Sequence, residues 1–548
     1  MWAVPLAFLL FFFFYPLGAV FNLAGKAAFA RDISINTWTR IWRPLAFTIW
    51  QASLSMGLTL LVGLPAAYLF ARFRFRGKKL LRALTTLPFI LPTVVVAVSF
   101  NALTGPRGWL NIILMRWFDL SVPPIQILNS LAAILLAHVF YNVSVVIRTV
   151  GSAWSQLDPR TEQAARVLGA SPLRVLREVT LPLLKKPIAA AALLVFLFDF
   201  TSFGVILLLG GPRFATLEVE IYIQALQMLN LPLSGLLSAI QMVCTLLMLI
   251  LYARITSGQN IPLMPRLKGE GERSPQKTGE RIFVVIMIVI LVVLQFFPLG
   301  ALVLRSVTTL DANRGARGEI DTGFTLAYYQ ELFINRRQSL FYVPPIEAMW
   351  NSLLYASITV VLSIVMGFLV AYALNTRSVI NRALDPLLML PLGTSAVTLG
   401  LGFIVVFNRP PVDVRSFPLL MPVAHSLVAL PFVVRTLQPA LSSIPNSLRH
   451  AAAVMGAPPW RVWLEVDLPI LARAVVVGAV FSFTISLGEF GATTFLSRPE
   501  MPTMPVAIFR FISQPGALNY GQALAMSTLL MAVCAVGILL MDNFSNEL

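Results

Sequence analysis

Apolar residues run nearly unbroken for about 20 positions at a time, and twelve such runs can be drawn. A helix of that length crosses roughly 30 Å of hydrocarbon. The runs lie near 2–21, 44–71, 83–104, 129–150, 187–209, 233–253, 282–304, 347–375, 384–407, 418–437, 473–496 and 521–541. Barrel strands would alternate apolar and polar with period two. The expected fold is therefore all-α and polytopic, with about 12 transmembrane helices. Composition agrees: 57% of residues are apolar and 12% charged, whereas soluble chains carry roughly 25% charged residues. The first run, from Trp2, has no basic n-region and no small-residue cleavage site, so it reads as a membrane helix. Cys244 and Cys534 both sit in apolar runs, which excludes a disulfide scaffold and a Cys-based metal site.

One polar stretch interrupts the pattern. Residues 255–281 contain Gly258, Gly269, Gly271 and Gly279 among mixed charges and read as a flexible tether. It separates a first half, 1–254, from a second half, 282–548. Basic residues mark the cytoplasmic face. Of the 41 Lys and Arg residues, 25 fall in the loops after runs 2, 4, 6, 8 and 10. That side is assigned to the cytoplasm, with both termini on it. The net charge of +17 is read the same way, and no nucleic-acid partner is expected.

The halves repeat each other. His138 and His425 are 287 residues apart, and the same offset relates Gly169 to Gly456, Leu181-Pro182 to Leu468-Pro469, and Phe203-Gly204 to Phe490-Gly491. Nearer the start the offset is 304, as in Gly63 with Gly367 and Ala67-Tyr68 with Ala371-Tyr372. Six helices per repeat keep both halves in one orientation. The expectation is two parallel, pseudo-symmetric six-helix halves about an axis along the membrane normal. A path between them suits a channel, an ion-coupled secondary carrier or an ATP-driven permease.

Two loops decide among these. Residues 158–188 read as an N-cap at Asp158, a short helix, a turn at Gly169, a second short helix from Ser171-Pro172, then Leu181-Pro182. Residues 444–475 repeat the design. This pattern resembles the cytoplasmic EAA loop of ABC importer permeases. The matching positions are Gln163, Ala164, Ala165 and Gly169, and His450, Ala451, Ala452 and Gly456. The usual initial Glu is replaced by Gln163 and His450, with Glu162 beside the former. The resemblance covers nearly the whole chain and is similar to the fused permeases for thiamine and ferric iron, through LLLGGPRFATLEVEIYIQAL (207–226) and SLGEFGA (486–492). It implies that Ala170, Ser171, Pro172 and Leu173, with Ala457, Pro458, Pro459 and Trp460, dock in two ABC ATPase subunits. It also implies an extracytoplasmic solute-binding protein, alternating access, and the cytoplasmic membrane of a prokaryote. The cargo would be a small solute, thiamine-like or ferric iron first, then others such as polyamines. The outer loops, Arg31 to Arg43 and Ser306 to Ile346, are candidates for docking the binding protein.

Asp199 and Glu489 are the acids placed inside spans. A central charge costs about 2.5–3.5 kcal/mol on insertion scales, so each should face protein or water. With His138 and His425 they are the candidate translocation path, though interhelical hydrogen bonding would account for all four. Runs three and nine carry Pro88, Pro92, Pro391 and Gly393 and should bend. No catalytic set, no metal cluster and no phosphate-cradling G-x-x-x-x-G-K-[ST] loop is found. The chain is therefore expected to bind no cofactor and not to be an enzyme, with ATP and magnesium on the partner ATPase. Purified alone, it should hydrolyse no ATP. Sustained, azide-insensitive turnover by a preparation free of other subunits would contradict this.

Overall fold

The structure is a computed structural model. It describes residues 2–28, 35–211, 213–256, 272–309, 323–335, 343–375, 379–409, 412–413 and 417–546. Most of the tether expected at 255–281 lies outside the described residues, as do parts of the two outer loops singled out above.

In hydrocarbon a backbone must satisfy its own polar groups, which selects helices. Ten helices among the described residues are long and apolar enough to cross a membrane. They are Ala3–Ala28, Trp38–Arg72, Leu131–Gln156, Pro172–Phe200, Leu231–Thr256, Thr278–Ser306, Pro345–Leu374, Leu420–Ser442, Pro459–Gly488 and Ala517–Gly537. The pair Lys78–Ile90 and Thr93–Phe118, bent by 110°, makes an eleventh if it is counted as one broken span. The break falls at Leu91 and Pro92, both extended, where proline lacks the N–H that would continue the ladder. Run nine also breaks: Val379–Gly393 ends at Thr394, Ser395 is extended, and Ala396–Val406 begins. That last helix has 11 residues, about 16 Å at 1.5 Å each, and so crosses only half the hydrocarbon. The only strands among the described residues are Asn408–Arg409 and Val412–Asp413, paired antiparallel.

The sequence repeat is a structural repeat, residue for residue. Helix Pro159–Val167 matches Asn446–Val454, Pro172–Val175 matches Pro459–Val462, and Gly204–Leu209 matches Gly491–Leu496. The π-helical turns Leu176–Thr180 and Trp463–Asp467 also correspond.

Each half lends its first helix to the other. Tyr15–Ala28 packs on Leu231–Thr256 of its own half and on Ala396–Val406 of the second. Thr278–Ser306 packs on Ala517–Asn546 of its own half and on Thr93–Thr104 of the first. A Cβ on Gly402 would come within 3.0 Å of Pro16, so glycine permits this crossing. Lipid supplies no hydrophobic drive for such contacts, so close packing must hold them. The largest apolar cluster accordingly draws on both halves, including Val96, Phe203, Val397 and Phe490.

Candidate functional site

Two regions carry function-bearing geometry. The first is the pair of cytoplasmic-type loops. Asp158 accepts from the Arg160 N–H and starts the first short helix. At its end Gly169 has φ +84° and Gly456, its counterpart, +82°. The Gly169 N–H donates to the Arg166 carbonyl and the Ala170 N–H to the Ala165 carbonyl, each at 3.0 Å. Gly456 and Ala457 repeat both bonds, to Ala453 and Ala452, again at 3.0 Å. This is a Schellman C-cap. It explains the fixed spacing from the alanine pair to the glycine, because the second alanine's carbonyl closes the cap. Ser171 then caps the next helix through the Arg174 N–H. Pro458 stands at the matching position with no side-chain cap.

The missing glutamates leave no gap. Glu162 accepts from Arg72 at 2.7 Å and from the Thr180 hydroxyl at 3.1 Å. In the second loop Arg449 occupies the position of Glu162, and Asp467 that of Thr180; the two pair at 2.8 Å. Tyr372 also donates to Asp467, at 2.9 Å. The same two backbone positions are bridged in both loops, with the charge reversed. Gln163, Ala164 and Pro172 are exposed, as are His450, Ala451, Pro458 and Pro459. Beside them stand three apolar side chains per loop: Val167, Leu168 and Leu173, exposed by 87%, 87% and 73%, and Val454, Met455 and Trp460, by 88%, 83% and 64%. Bare apolar patches of this kind mark protein-docking surfaces, and the two occupy equivalent places.

The second region is a cavity of about 430 Å³ between the halves. Phe89, Phe198, Phe432 and Phe481 line it on helices that lead toward the loops. Among its edges are Phe203 and Phe490, repeat mates whose rings stack at 5.4 Å and 26°. Tyr222 packs edge-on against Phe203, and Phe509, its mate, against Phe490, each at 5.5 Å. Four rings thus lie in a row across the pseudo-twofold axis.

Each half clamps its ring with a histidine. His138 Nε2 lies 2.9 Å from Ser202 Oγ, and Nδ1 lies 3.4 Å from Asp199 Oδ1. His425 Nδ1 lies 2.8 Å from Ser486 Oγ, and Nε2 lies 2.8 Å from Thr493 Oγ1 and 3.4 Å from Glu489 Oε2. Ser486 is the mate of Asp199, and Glu489 of Ser202. Acid and serine have exchanged places, while the histidine stays put. Glu489 accepts from the N–H groups of Ala492 and Thr493, both at 2.8 Å, and from the Thr493 hydroxyl at 2.6 Å. It therefore caps the short helix Gly491–Leu496. His425, expected on the path, is not in the cavity wall but buried behind Glu489. His138, Asp199 and Glu489 do line the cavity.

Sequence reasoning missed a third acid. Glu218 falls between runs five and six, yet it is fully buried in the short helix Leu217–Tyr222 and lines the cavity. Ser395 donates to it at 2.7 Å while accepting from the Val397 N–H at 3.0 Å. Gln241 donates to its other oxygen. The available signal was its apolar setting, LEVEIYI, in which every other residue is hydrophobic. No group of three or more His, Cys, Asp or Glu that could hold a metal occurs among the described residues.

The chain matches the family model described as "Binding-protein-dependent transport system inner membrane component" over residues 59–303 and 363–548. It is 26% identical over 532 residues to the thiamine transport system permease protein ThiP of Brucella abortus, covering 95% of this chain and 90% of that one. It is 26% identical over 520 residues to the Escherichia coli protein of the same name, covering 92% and 90%. A probable ABC transporter permease protein of Sinorhizobium fredii is 27% identical over 539 residues, covering 96% and 90%.

The cap geometry generates a prediction. A Cβ at Gly456 meets nothing within 4 Å, so the penalty for a side chain there is backbone strain, about 1–2 kcal/mol. Gly456→Val should still insert in the membrane but lose co-purifying ATPase subunits or uncouple hydrolysis from uptake. Gly456→Asn should retain most coupling, because asparagine tolerates this conformation. Normal assembly and uptake in the valine variant, and in Gly169→Val, would show that these caps transmit nothing.

Proposed function

Since the chain belongs to the binding-protein-dependent transport system inner membrane components, the membrane permeases of ABC importers, we propose that it carries thiamine or a closely similar organic cation into the cytoplasm. Two ATPase subunits supply the energy, binding ATP and magnesium, and an extracytoplasmic binding protein delivers the solute. The observation that carries the substrate reading is the cavity wall. It holds three carboxylates, Asp199, Glu218 and Glu489, with phenylalanine and tyrosine rings and no Lys or Arg. Ring faces attract organic cations, and a low-dielectric cleft of one charge sign concentrates ions of the other. The names of the relatives support thiamine. The aromatic wall favours an organic cation over ferric iron.

The coupling residues work as a lever. Gln163, Ala164, Ala165 and Gly169 set the aim of Ala170, Ser171 and Pro172; His450, Ala451, Ala452 and Gly456 do so for Ala457, Pro458 and Pro459. The exposed apolar trios seat in the ATPase pair. Each docking helix continues without interruption into a span, Pro172–Phe200 or Pro459–Gly488, and that span ends at a clamped ring, Phe203 or Phe490. Closure of the ATPase pair draws the two levers together at the loop end and parts the rings at the other. The cavity then opens outward, and hydrolysis restores the stacked state. In this orientation both termini are cytoplasmic.

A secondary carrier would need no such loops. The deciding experiment is reconstitution in proteoliposomes with the partner ATPase and binding protein. Uptake of radiolabelled thiamine should require ATP, both partners and this chain. Uptake driven by an ion gradient with no ATPase present would overturn the proposal.

A further inference from the structure

The two histidine clamps share one backbone geometry and differ in how fully they are satisfied. In the second half every polar atom of the clamp is engaged. Both Glu489 oxygens accept hydrogen bonds, and both His425 nitrogens have hydroxyl partners. In the first half the account stays open. Asp199 Oδ1 accepts from Asn142 Nδ2 at 2.7 Å. Asp199 Oδ2 and His138 Nδ1 have no hydrogen-bond partner, although both are buried. The Ser55 hydroxyl, which has no other partner, stands beside the Asp199 carboxyl as its one further donor. A buried carboxyl held by so few donors has acceptor capacity left over for a ligand.

The surroundings say what that ligand is. Asp199 is 1% exposed, in a wall whose neighbours are Phe198, Ser202 and the ring of Tyr141. The spare group is an acceptor, so the ligand brings a donor. The wall holds no Lys or Arg, so the donor brings a positive charge without meeting a fixed one. The rings demand a flat or apolar body.

We propose that Asp199 is the counter-charge of a transient substrate site within the permease, which takes an aromatic organic cation bearing N–H donors, and that Glu489 is a structural cap with no substrate role. This rests on the organic-cation reading above and deepens it. It also assigns the two acids different work, although they look equivalent in the sequence. Motion of the elbow at 200–204 during opening presents Asp199 Oδ2 to the cavity, and closing withdraws it, so the site releases its cargo.

The test is equilibrium binding of radiolabelled thiamine to the intact permease–ATPase complex in nanodiscs, with the binding protein left out. The wild type should bind weakly. Asp199→Asn, which keeps an oxygen for the Asn142 bond, should weaken binding at least tenfold while leaving ATPase co-purification and elution profile unchanged. Glu489→Gln keeps one acceptor oxygen and sets its amide NH2 against the other of the two backbone N–H groups. It should lower the yield of monodisperse complex, and its folded fraction should bind thiamine as the wild type does. Putrescine and choline are run in parallel. Asp199-dependent binding of either, with none of thiamine, would leave a cation site at Asp199 but overturn both the thiamine reading and the aromatic, N–H-donating ligand proposed for it. Thiamine binding that Asp199→Asn leaves intact, or the absence of Asp199-dependent binding of all three cations, would overturn the site.

Discussion

Every break in a membrane helix leaves polar backbone groups that lipid cannot satisfy, so a broken helix survives only where the protein supplies partners. The centre of this molecule is built from such breaks. Run three ends at Leu91, run nine at Ser395, and the two spans from the loops end beside Asp199 and Glu489. The groups that settle these ends are also the groups that furnish the cavity. Glu489 caps Gly491–Leu496. Ser395 caps Ala396–Val406 and is itself held by Glu218 from the other half. Satisfying the backbone thus places acidic side chains in the cavity wall between the halves, where they would otherwise be too costly to keep.

The same breaks divide rigid from movable parts. From each loop one helix runs to the centre and stops at a stacked ring. Beyond it the chain turns through a short clamped elbow. On the proposed mechanism a push at the loop end travels along one helix to Phe200 or Gly488, and the elbow that follows passes it to Phe203 or Phe490. The Schellman caps at Gly169 and Gly456 fix its entry angle, and the reversed ion pairs at Glu162 and Arg449 brace the base. The π-turns that follow the docking helices sit at the one place where this lever has a spare residue per turn.

Much of this was legible beforehand. The apolar runs gave the helices, and the constant 287-residue offset made the repeat readable to the single residue. Gly169 and Gly456 could be placed because only a positive φ explains a glycine between two short amphipathic helices. What stayed hidden depends on approach in space. Glu218 reads as loop because its run is interrupted by Gly210, Gly211 and Pro212, and nothing local says that the chain packs back into the core. Asp199 and Glu489 looked like two members of one class. The exchange of acid and serine between repeat mates is visible in the sequence, but its meaning needs the histidine that bridges both positions. His425 lies outside the cavity lining, a placement the sequence did not show, since periodicity cannot tell a wall from the layer behind it.

The central claim is that drawing the loops together parts the ring pair. Cysteine cross-linking reads this directly. Phe203→Cys and Phe490→Cys would be combined in a chain with Cys244 and Cys534 replaced, assembled with its ATPase in lipid. The two rings stack with centroids 5.4 Å apart, and in the nucleotide-free complex a short bifunctional thiol reagent should join the two positions quickly. With ATP trapped on a hydrolysis-deficient ATPase the cross-link should form slowly or not at all, and a cross-link made beforehand should block uptake. Equal rates of cross-linking in the two states would contradict the account.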